Sequence, residues 1–291
     1  MNTKHLQPVI IIGMHRSGTT MLASLLEQLG LFIGVKKQEN DESLFFFKLN
    51  DWLLRQANAS WDNPHNFNFI NTVFKERVLR VLKQHLKGMR RIEYLGFEKF
   101  LRYKDIRHVD FPWGWKDPRN TFTIDVWKDI FPHPKLLHIY RNPIDVANSA
   151  RKREVEIQNN YKQNWKNTLK ERFAFGKVFY QDSLRLQNIH EGIQLWKDYV
   201  QKAFSLEEEW KENILHIRYE TFLDHPADTL EKIVRFIELP ADPSSIYAVS
   251  KHVLSENNFT FIKDTSLQEL YLQIQSEDIM HKLGYGDIIN K

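Results

Sequence analysis

The stretch Pro8-Val-Ile-Ile-Ile-Gly-Met-His-Arg-Ser-Gly-Thr-Thr20 decides the fold. Val9 to Ile12 is a β-branched run, the pattern of a strand buried on both faces of a parallel sheet. It stops at Gly13, and from Met21 the apolar residues Leu22, Leu25, Leu26 and Leu29 recur at helical spacing. A strand, a tight loop and a helix in that order make a cradle for a phosphate-like group. The loop N–H groups and the helix N-terminus converge on one anion. Gly13, Gly18 and Thr20 occupy the glycine and hydroxyl positions of G-x-x-x-x-G-K-[ST], but Thr19 stands where the lysine belongs. The loop is therefore an anion cradle without the group that grips the outer phosphates of a nucleoside triphosphate.

The rest of the chain extends this pattern. Leu44 to Leu54, Val73 to Leu86 and Phe122 to Phe131 carry helical periodicity, and Lys135 to Tyr140 is a second buried strand. Arg141-Asn-Pro143 opens another helix with proline in its first turn. Residues 151 to 210 read as largely helical, and Asn213 to Arg218 as a further strand followed by an acidic turn at Tyr219-Glu220. A helix from Asp228 to Ile237 and a polar tail with short helical stretches complete the chain. Strands alternating with helices predict an α/β fold, a P-loop-like parallel β-sheet flanked by helices with helical insertions. No linker or internal repeat divides it, so residues 1–291 are read as a single domain.

Composition narrows the function classes. The 291 residues are 42% hydrophobic and 27% charged, with 20 Phe and 8 Trp, enough for a large core. With no cysteine, the chain has neither a disulfide framework nor a thiolate metal site. The 12 histidines show no H-E-x-x-H or comparable ligand spacing, and no metal is expected. Met1 to His5 leads straight into the first strand, and no run approaches about 18 apolar residues. The expectation is a cytoplasmic protein without a membrane span. A net charge of +4 favours anionic ligands but falls short of the basic density of a nucleic-acid binder.

Open parallel sheets bind ligands at the carboxyl ends of their strands. Each strand here ends in ionic or hydroxylic residues: Arg16 to Thr20, Lys116 to Arg119, Arg141 to Ser149 and Arg218 to Glu220. If the strands are neighbours, these cations face one rim and suit a ligand with two separated anionic groups.

These segments resemble the sulfotransferases that use 3′-phosphoadenosine 5′-phosphosulfate (PAPS), in a bacterial form with loop features of the tyrosylprotein branch. Gly13 to Thr20 is similar to their 5′-phosphosulfate loop. Leu137-His-Ile-Tyr-Arg141-Asn-Pro-Ile-Asp-Val-Ala-Asn-Ser149 is similar to their 3′-phosphate motif, and Trp115-Lys-Asp-Pro-Arg119 and Ile217-Arg-Tyr-Glu220 to two further segments. The resemblance implies sulfuryl transfer from PAPS to a hydroxyl of a saccharide or small metabolite. It places Arg16 at the bridging oxygen and sulfuryl group, where its planar fork binds two oxygens. Ser17, Gly18, Thr19 and Thr20 would hold the 5′-phosphate, Lys116 the leaving group, Arg141 and Ser149 the 3′-phosphate, and Tyr219 the adenine.

The acceptor also needs a base. Glu42 in the loop after the first helix is the choice, with Glu39, Asp41 and His65 as alternatives. His15 is expected near the acceptor, and Trp61 and Trp113 as stacking platforms for it. Lys251, Ser255 and Lys263 fall where relatives close a loop over the nucleotide. Two other readings stay open: a P-loop nucleotide kinase or hydrolase, and a non-catalytic nucleotide-binding relative.

Overall fold

The computed structural model describes residues 6–163, 167, 180–253 and 258–289. In chain order the main elements are β1 (Val9–Ile12), α1 (Thr19–Gln28), α2 (Leu44–Gln56), α3 (Thr72–Lys87), α4 (Ile92–Arg102), β2 (Gly114–Lys116) and α5 (Asn120–Lys128). They continue with β3 (Lys135–Tyr140), α6 (Pro143–Gln163), α7 (Ile189–Ser205), α8 (Glu207–Trp210) and β4 (Ile214–Arg218). Helices α9 (Tyr219–Asp224), α10 (Pro226–Phe236), α11 (Pro243–Ser250), α12 (Thr265–Ile274) and α13 (Asp278–Lys282) follow. The chain divides into two compact units, residues 1–140 with 199–255, and residues 141–198 with 256–291.

The first unit holds a parallel sheet in the order β2-β1-β3-β4. The connections after β1 and β3 leave in opposite directions, so the ends of these central strands form a topological switch point, where open α/β sheets take their ligands. The phosphate-cradle loop follows β1 there. All four residues of β1 are buried, and alternate side chains feed two cores. Ile10 and Ile12 join a cluster with Phe45, Phe46, Leu49, Trp113, Trp115 and Trp127. Val9 and Ile11 join the opposite cluster with Leu22, Leu25, Leu26, Leu137 and Ile233. This two-sided burial is why the strand reads as a continuous apolar run. In the first core the Phe46 ring stacks on Trp115 at 3.9 Å with an interplanar angle of 3°, which fixes α2 against β2.

Several boundaries differ from the sequence reading. Helix α1 starts two residues before Met21, at Thr19, and Tyr219-Glu220 is the first turn of α9 rather than a turn between elements. Helix α4 is the element the periodicity did not announce. Gly96 inside it has φ 71° and ψ 175°, so two short helical pieces meet at a kink that breaks the repeat. The expected helix over 151–210 appears as α6, α7 and α8; residues 164–166 and 168–179 of that span lie outside the described residues.

The second unit is built around the start of α6. The Asn142 side chain accepts from Ile144 N–H at 2.9 Å and so caps the helix that Pro143 opens. One turn on, the buried Asp145 carboxylate accepts from Thr260 N–H (3.1 Å), Thr260 Oγ1 (2.7 Å) and Phe261 N–H (2.8 Å), which ties the C-terminal segment to α6. Trp196 of α7 donates to the Arg141 carbonyl at 2.8 Å.

One pair within the sheet carries an acid-sensitive signature. His138 and His216 are register partners on β3 and β4, with Nδ1 atoms 2.7 Å apart and the Phe204 ring stacked on His216. One ring must donate and the other accept, so the contact needs at least one neutral imidazole. Burial, reinforced by His216, holds His138 well below the ordinary histidine value of 6.5. A histidine kept neutral in the fold but free to titrate when unfolded contributes stability that is complete above about pH 6.5 and is lost as pH falls below it. Stability is expected to fall between pH 7 and 5 by up to about 1.4 kcal/mol per pH unit from this residue. The check is chemical denaturation at several pH values, where His138→Leu should flatten the slope.

Candidate active site

The loop after β1 is shaped by two glycines. Gly13 has φ +138°, and a Cβ there would lie 2.2 Å from the Ile139 carbonyl oxygen of β3. Gly18 has φ +94°, caps the N-terminus of α1 and packs on the Tyr219 ring, which a Cβ would meet at 2.5 Å. Between them Arg16, the residue whose side chain projects to solvent, also takes a left-handed backbone at φ 72°. A non-glycine residue held there stores about 1–2 kcal/mol of strain, a feature that gathers at functional sites. Gly13 N–H points to Thr121 Oγ1 at 3.4 Å, and Ser17 N–H donates to the Met14 carbonyl at 3.2 Å. The α1 N-terminus has no side-chain cap, and the buried Ser17 hydroxyl has no hydrogen-bond partner among the described residues. An uncapped helix start beside a buried, unsatisfied hydroxyl is what an anion-binding loop leaves for its ligand.

The loop that follows α1 closes over this cradle. The Asn40 main-chain carbonyl accepts both from Thr20 Oγ1, at 3.1 Å, and from the Lys116 ammonium. Lys116 stands at the carboxyl end of β2 with its side chain 1% exposed, and its Nζ lies 3.1 Å from Glu42 Oε1. Glu42 is itself buried. Burial raises its carboxyl above the ordinary value of 4.5, Lys116 pulls it back down, and Asp117 pushes it up again. The structure thus brings Glu42, Lys116, Thr20 and the loop backbone together. Glu39 and His65 are exposed, and Asp41 lies 3.8 Å from Lys37 instead. His15 meets the Trp61 ring at 4.6 Å between centroids, and the Trp61 carbonyl accepts from Tyr199.

Two expected site residues turn inward. Arg119 does not face the rim. It forks onto Asp117 (Nε–Oδ1 2.9 Å, Nη2–Oδ2 2.8 Å) and covers the Phe47 ring at 3.9 Å. Trp113 is a core residue, 1% exposed, whose indole donates to the Leu6 carbonyl. Arg218 pairs with Glu220 at 3.4 Å, and Tyr219 is buried beneath Gly18.

In the second unit Arg141 forms an ion pair with Asp145 at 3.4 Å, and Ser149 follows one turn later on α6, half-buried on the same side. Lys251, in the first unit, lies over the Tyr247 ring at 4.5 Å; Lys263 is exposed, and Ser255 lies outside the described residues. Among the described residues no group of three or more His, Asp or Glu side chains is arranged to hold a metal, and no helix is long and apolar enough to cross a membrane.

A family model described as "Sulfotransferase family" matches residues 8–243, a span that includes the loop, Glu42, Lys116, the Arg141–Ser149 motif and Tyr219. The chain belongs to the sulfotransferase family. No curated protein matches it. Solved structures similar to it include a sulfotransferase from Alicyclobacillus acidocaldarius (15% identity, TM-score 0.48, covering 97% of this chain and 94% of that one). Sulfotransferase STF9 from Mycobacterium avium matches at 14% identity and TM-score 0.44, over 94% of this chain and 77% of that one. Mouse sulfotransferase SULT7A1 complexed with PAP matches at 15% identity and TM-score 0.44, over 96% and 89%.

For this sulfotransferase the residues missed by sequence reasoning are the main-chain carbonyl of Asn40 and the buried Asp117. A backbone acceptor leaves no trace in a residue pattern. The cradle makes a direct prediction: Gly18→Ala forces a Cβ against Tyr219 and a strained φ, and should destabilise the protein by about 1–3 kcal/mol. Thermal shift and chemical denaturation read the loss.

Proposed function

We propose that this enzyme transfers the sulfuryl group of PAPS to a hydroxyl of a saccharide or small-molecule acceptor, releasing adenosine 3′,5′-bisphosphate. The observation that carries the reading is the buried Glu42–Lys116 pair held at the mouth of a phosphate cradle that lacks a Walker lysine. A kinase or hydrolase loop places its lysine at position 19, where this chain has Thr19.

Each group then has a task. The uncapped start of α1, the Ser17 hydroxyl and the Gly18–Thr20 segment fit the 5′-phosphate. Glu42 removes the proton from the acceptor hydroxyl, whose oxygen attacks sulfur in line. As the new S–O bond forms, the bond from sulfur to the bridging phosphate oxygen breaks and leaves its electron pair on that oxygen. Lys116 and Arg16 supply positive charge there, where negative charge develops. Burial, by raising the Glu42 carboxyl, makes it a stronger base once ionised. The 3′-phosphate role of Arg141 and Ser149 rests on their motif. The continuous family match over 8–243 supports residues 1–291 acting as one sulfotransferase domain, and the cysteine-free composition fits a cytoplasmic setting.

Radiolabelled PAPS offered with a panel of hydroxyl acceptors tests the reading, alongside calorimetric titration with adenosine 3′,5′-bisphosphate and with ATP–magnesium. Label transfer and tight bisphosphate binding are expected. Tight ATP–magnesium binding with indifference to the bisphosphate would overturn it, and bisphosphate binding without turnover on any acceptor would identify a non-catalytic relative.

A further inference from the structure

We propose that Asn50 is a positioning residue that sets the Glu42–Lys116 pair by pinning helix α2 to the turn after β2. The proposal rests on the sulfuryl-transfer reading only for its catalytic consequence.

Asn50 is fully buried in the middle of α2, on the face that also presents Phe46, Leu49, Leu53 and Leu54. Its Nδ2 donates to Asp117 Oδ2 and Asn120 Oδ1, both at 2.8 Å. Its Oδ1 accepts from Thr123 Oγ1 at 3.0 Å and Trp127 Nε1 at 2.8 Å. Both amide hydrogens and both lone pairs are used, so a flipped amide would set oxygen against two oxygens and nitrogen against two donors. A polar side chain satisfied this completely inside an apolar face specifies one arrangement of the elements it joins.

Those elements carry the reacting groups. Glu42 lies just before α2, and Lys116 directly precedes Asp117. Asp117 is held rigidly: Arg119 N–H and Nε donate to its Oδ1, Arg119 Nη2 and Asn50 Nδ2 to its Oδ2. Only the Asn50 bond among these reaches α2; the other three close a ring within the turn. Arg119 adds weaker ties to α2 through the Phe47 ring and through Asp51 at 3.8 Å. Asn50 thus transmits the position of the turn to the helix whose first turn follows Glu42. The charged groups acting on Glu42 are Lys116, at the end of β2, and Asp117 and Arg119, on the turn that follows it.

The test reads the Glu42 titration by carboxyl ¹³C NMR in the ligand-free protein, which needs no donor or acceptor. In Asn50→Leu, a near-isosteric change that removes both donors, α2 loosens, water reaches Glu42 and Asp117 draws away. The Glu42 midpoint should move down toward the ordinary carboxylate value. Turnover should fall by about tenfold or more with little change in PAPS KM, because misplacing a reacting group acts on the chemical step. Asn50→Ser removes the same donors without adding bulk and should read the same way if Asn50→Leu does not fold. Thr123→Val deletes one bond on the acceptor side of the amide and leaves the link to Asp117 intact. It should lower Tm while preserving the Glu42 midpoint and turnover. A wild-type Glu42 midpoint in both Asn50 variants, with Tm alone reduced, would overturn the proposal. A shifted midpoint in a protein whose wild type turns over no PAPS would uphold the positioning and remove the sulfuryl-transfer reading instead.

Discussion

Arg16→Ala is expected to lower turnover by about 10²-fold or more, the usual consequence of losing one preorganised donor at a developing charge. The side chain is exposed and packs in neither core, so the loss in turnover should far exceed what any change in Tm accounts for. The left-handed backbone at this position supplies a second variant. Arg16→Gly removes the same guanidinium but relieves the strain at φ 72°, and should be more stable than Arg16→Ala by about 1 kcal/mol at equal turnover. Arg16→Lys keeps the charge and loses the two-pronged geometry, so an intermediate loss is expected. Wild-type turnover in Arg16→Ala would remove this residue from the chemistry altogether. Steady-state kinetics with PAPS and denaturation curves of the three variants decide the matter.

Glu42→Gln should reduce turnover by about 10²–10⁴-fold, the range typical of a lost general base. The pH profile gives the sharper signature. In the proposed role Glu42 acts ionised, and since burial raises its carboxyl above 4.5, the acid limb of kcat is expected above that ordinary value. Activity is lost as pH falls through that raised value, and the glutamine variant should show no such limb. Linkage runs in the opposite sense for stability. A carboxyl raised in the folded state favours folding in its protonated form. That contribution is present below the unfolded value and is lost as pH rises through the folded one. Bisphosphate affinity should be unchanged in Glu42→Gln, since Glu42 is assigned to the acceptor. A full acid limb persisting in the variant would assign the base to another residue.

The sequence was most legible where local chemistry and tertiary environment agree. The strands at Val9–Ile12 and Lys135–Tyr140 could be read to the residue because burial on both faces leaves Val9–Ile12 wholly apolar and gives Lys135–Tyr140 a buried centre, Leu136 to Ile139, interrupted only by His138. The cradle glycines were legible because their backbone geometry excludes other residues. Arg119 was misread for a local reason: an arginine two residues after an aspartate can fork back onto it, and in this turn it does. Trp113 was misread because aromatic composition does not tell a platform from a core. Asn50 did leave a signal that went unused, a polar residue at an apolar-face position of a helix. Helix α4 hid behind the left-handed Gly96.

The Asn40 carbonyl that joins Thr20 to Lys116 belongs to the main chain. Every amino acid carries that oxygen, so substitution at position 40 leaves the acceptor atom in place and changes only what the loop displays around it. Residues 36–41 can therefore vary in shape, polarity and size while the placement of the Thr20 hydroxyl and the Lys116 ammonium persists, provided the backbone path and Glu42 are kept. In the proposed reading such a loop could be rewritten for a different acceptor without rebuilding the machinery it covers, which makes residues 36–41 the natural segment to randomise with Glu42 held fixed.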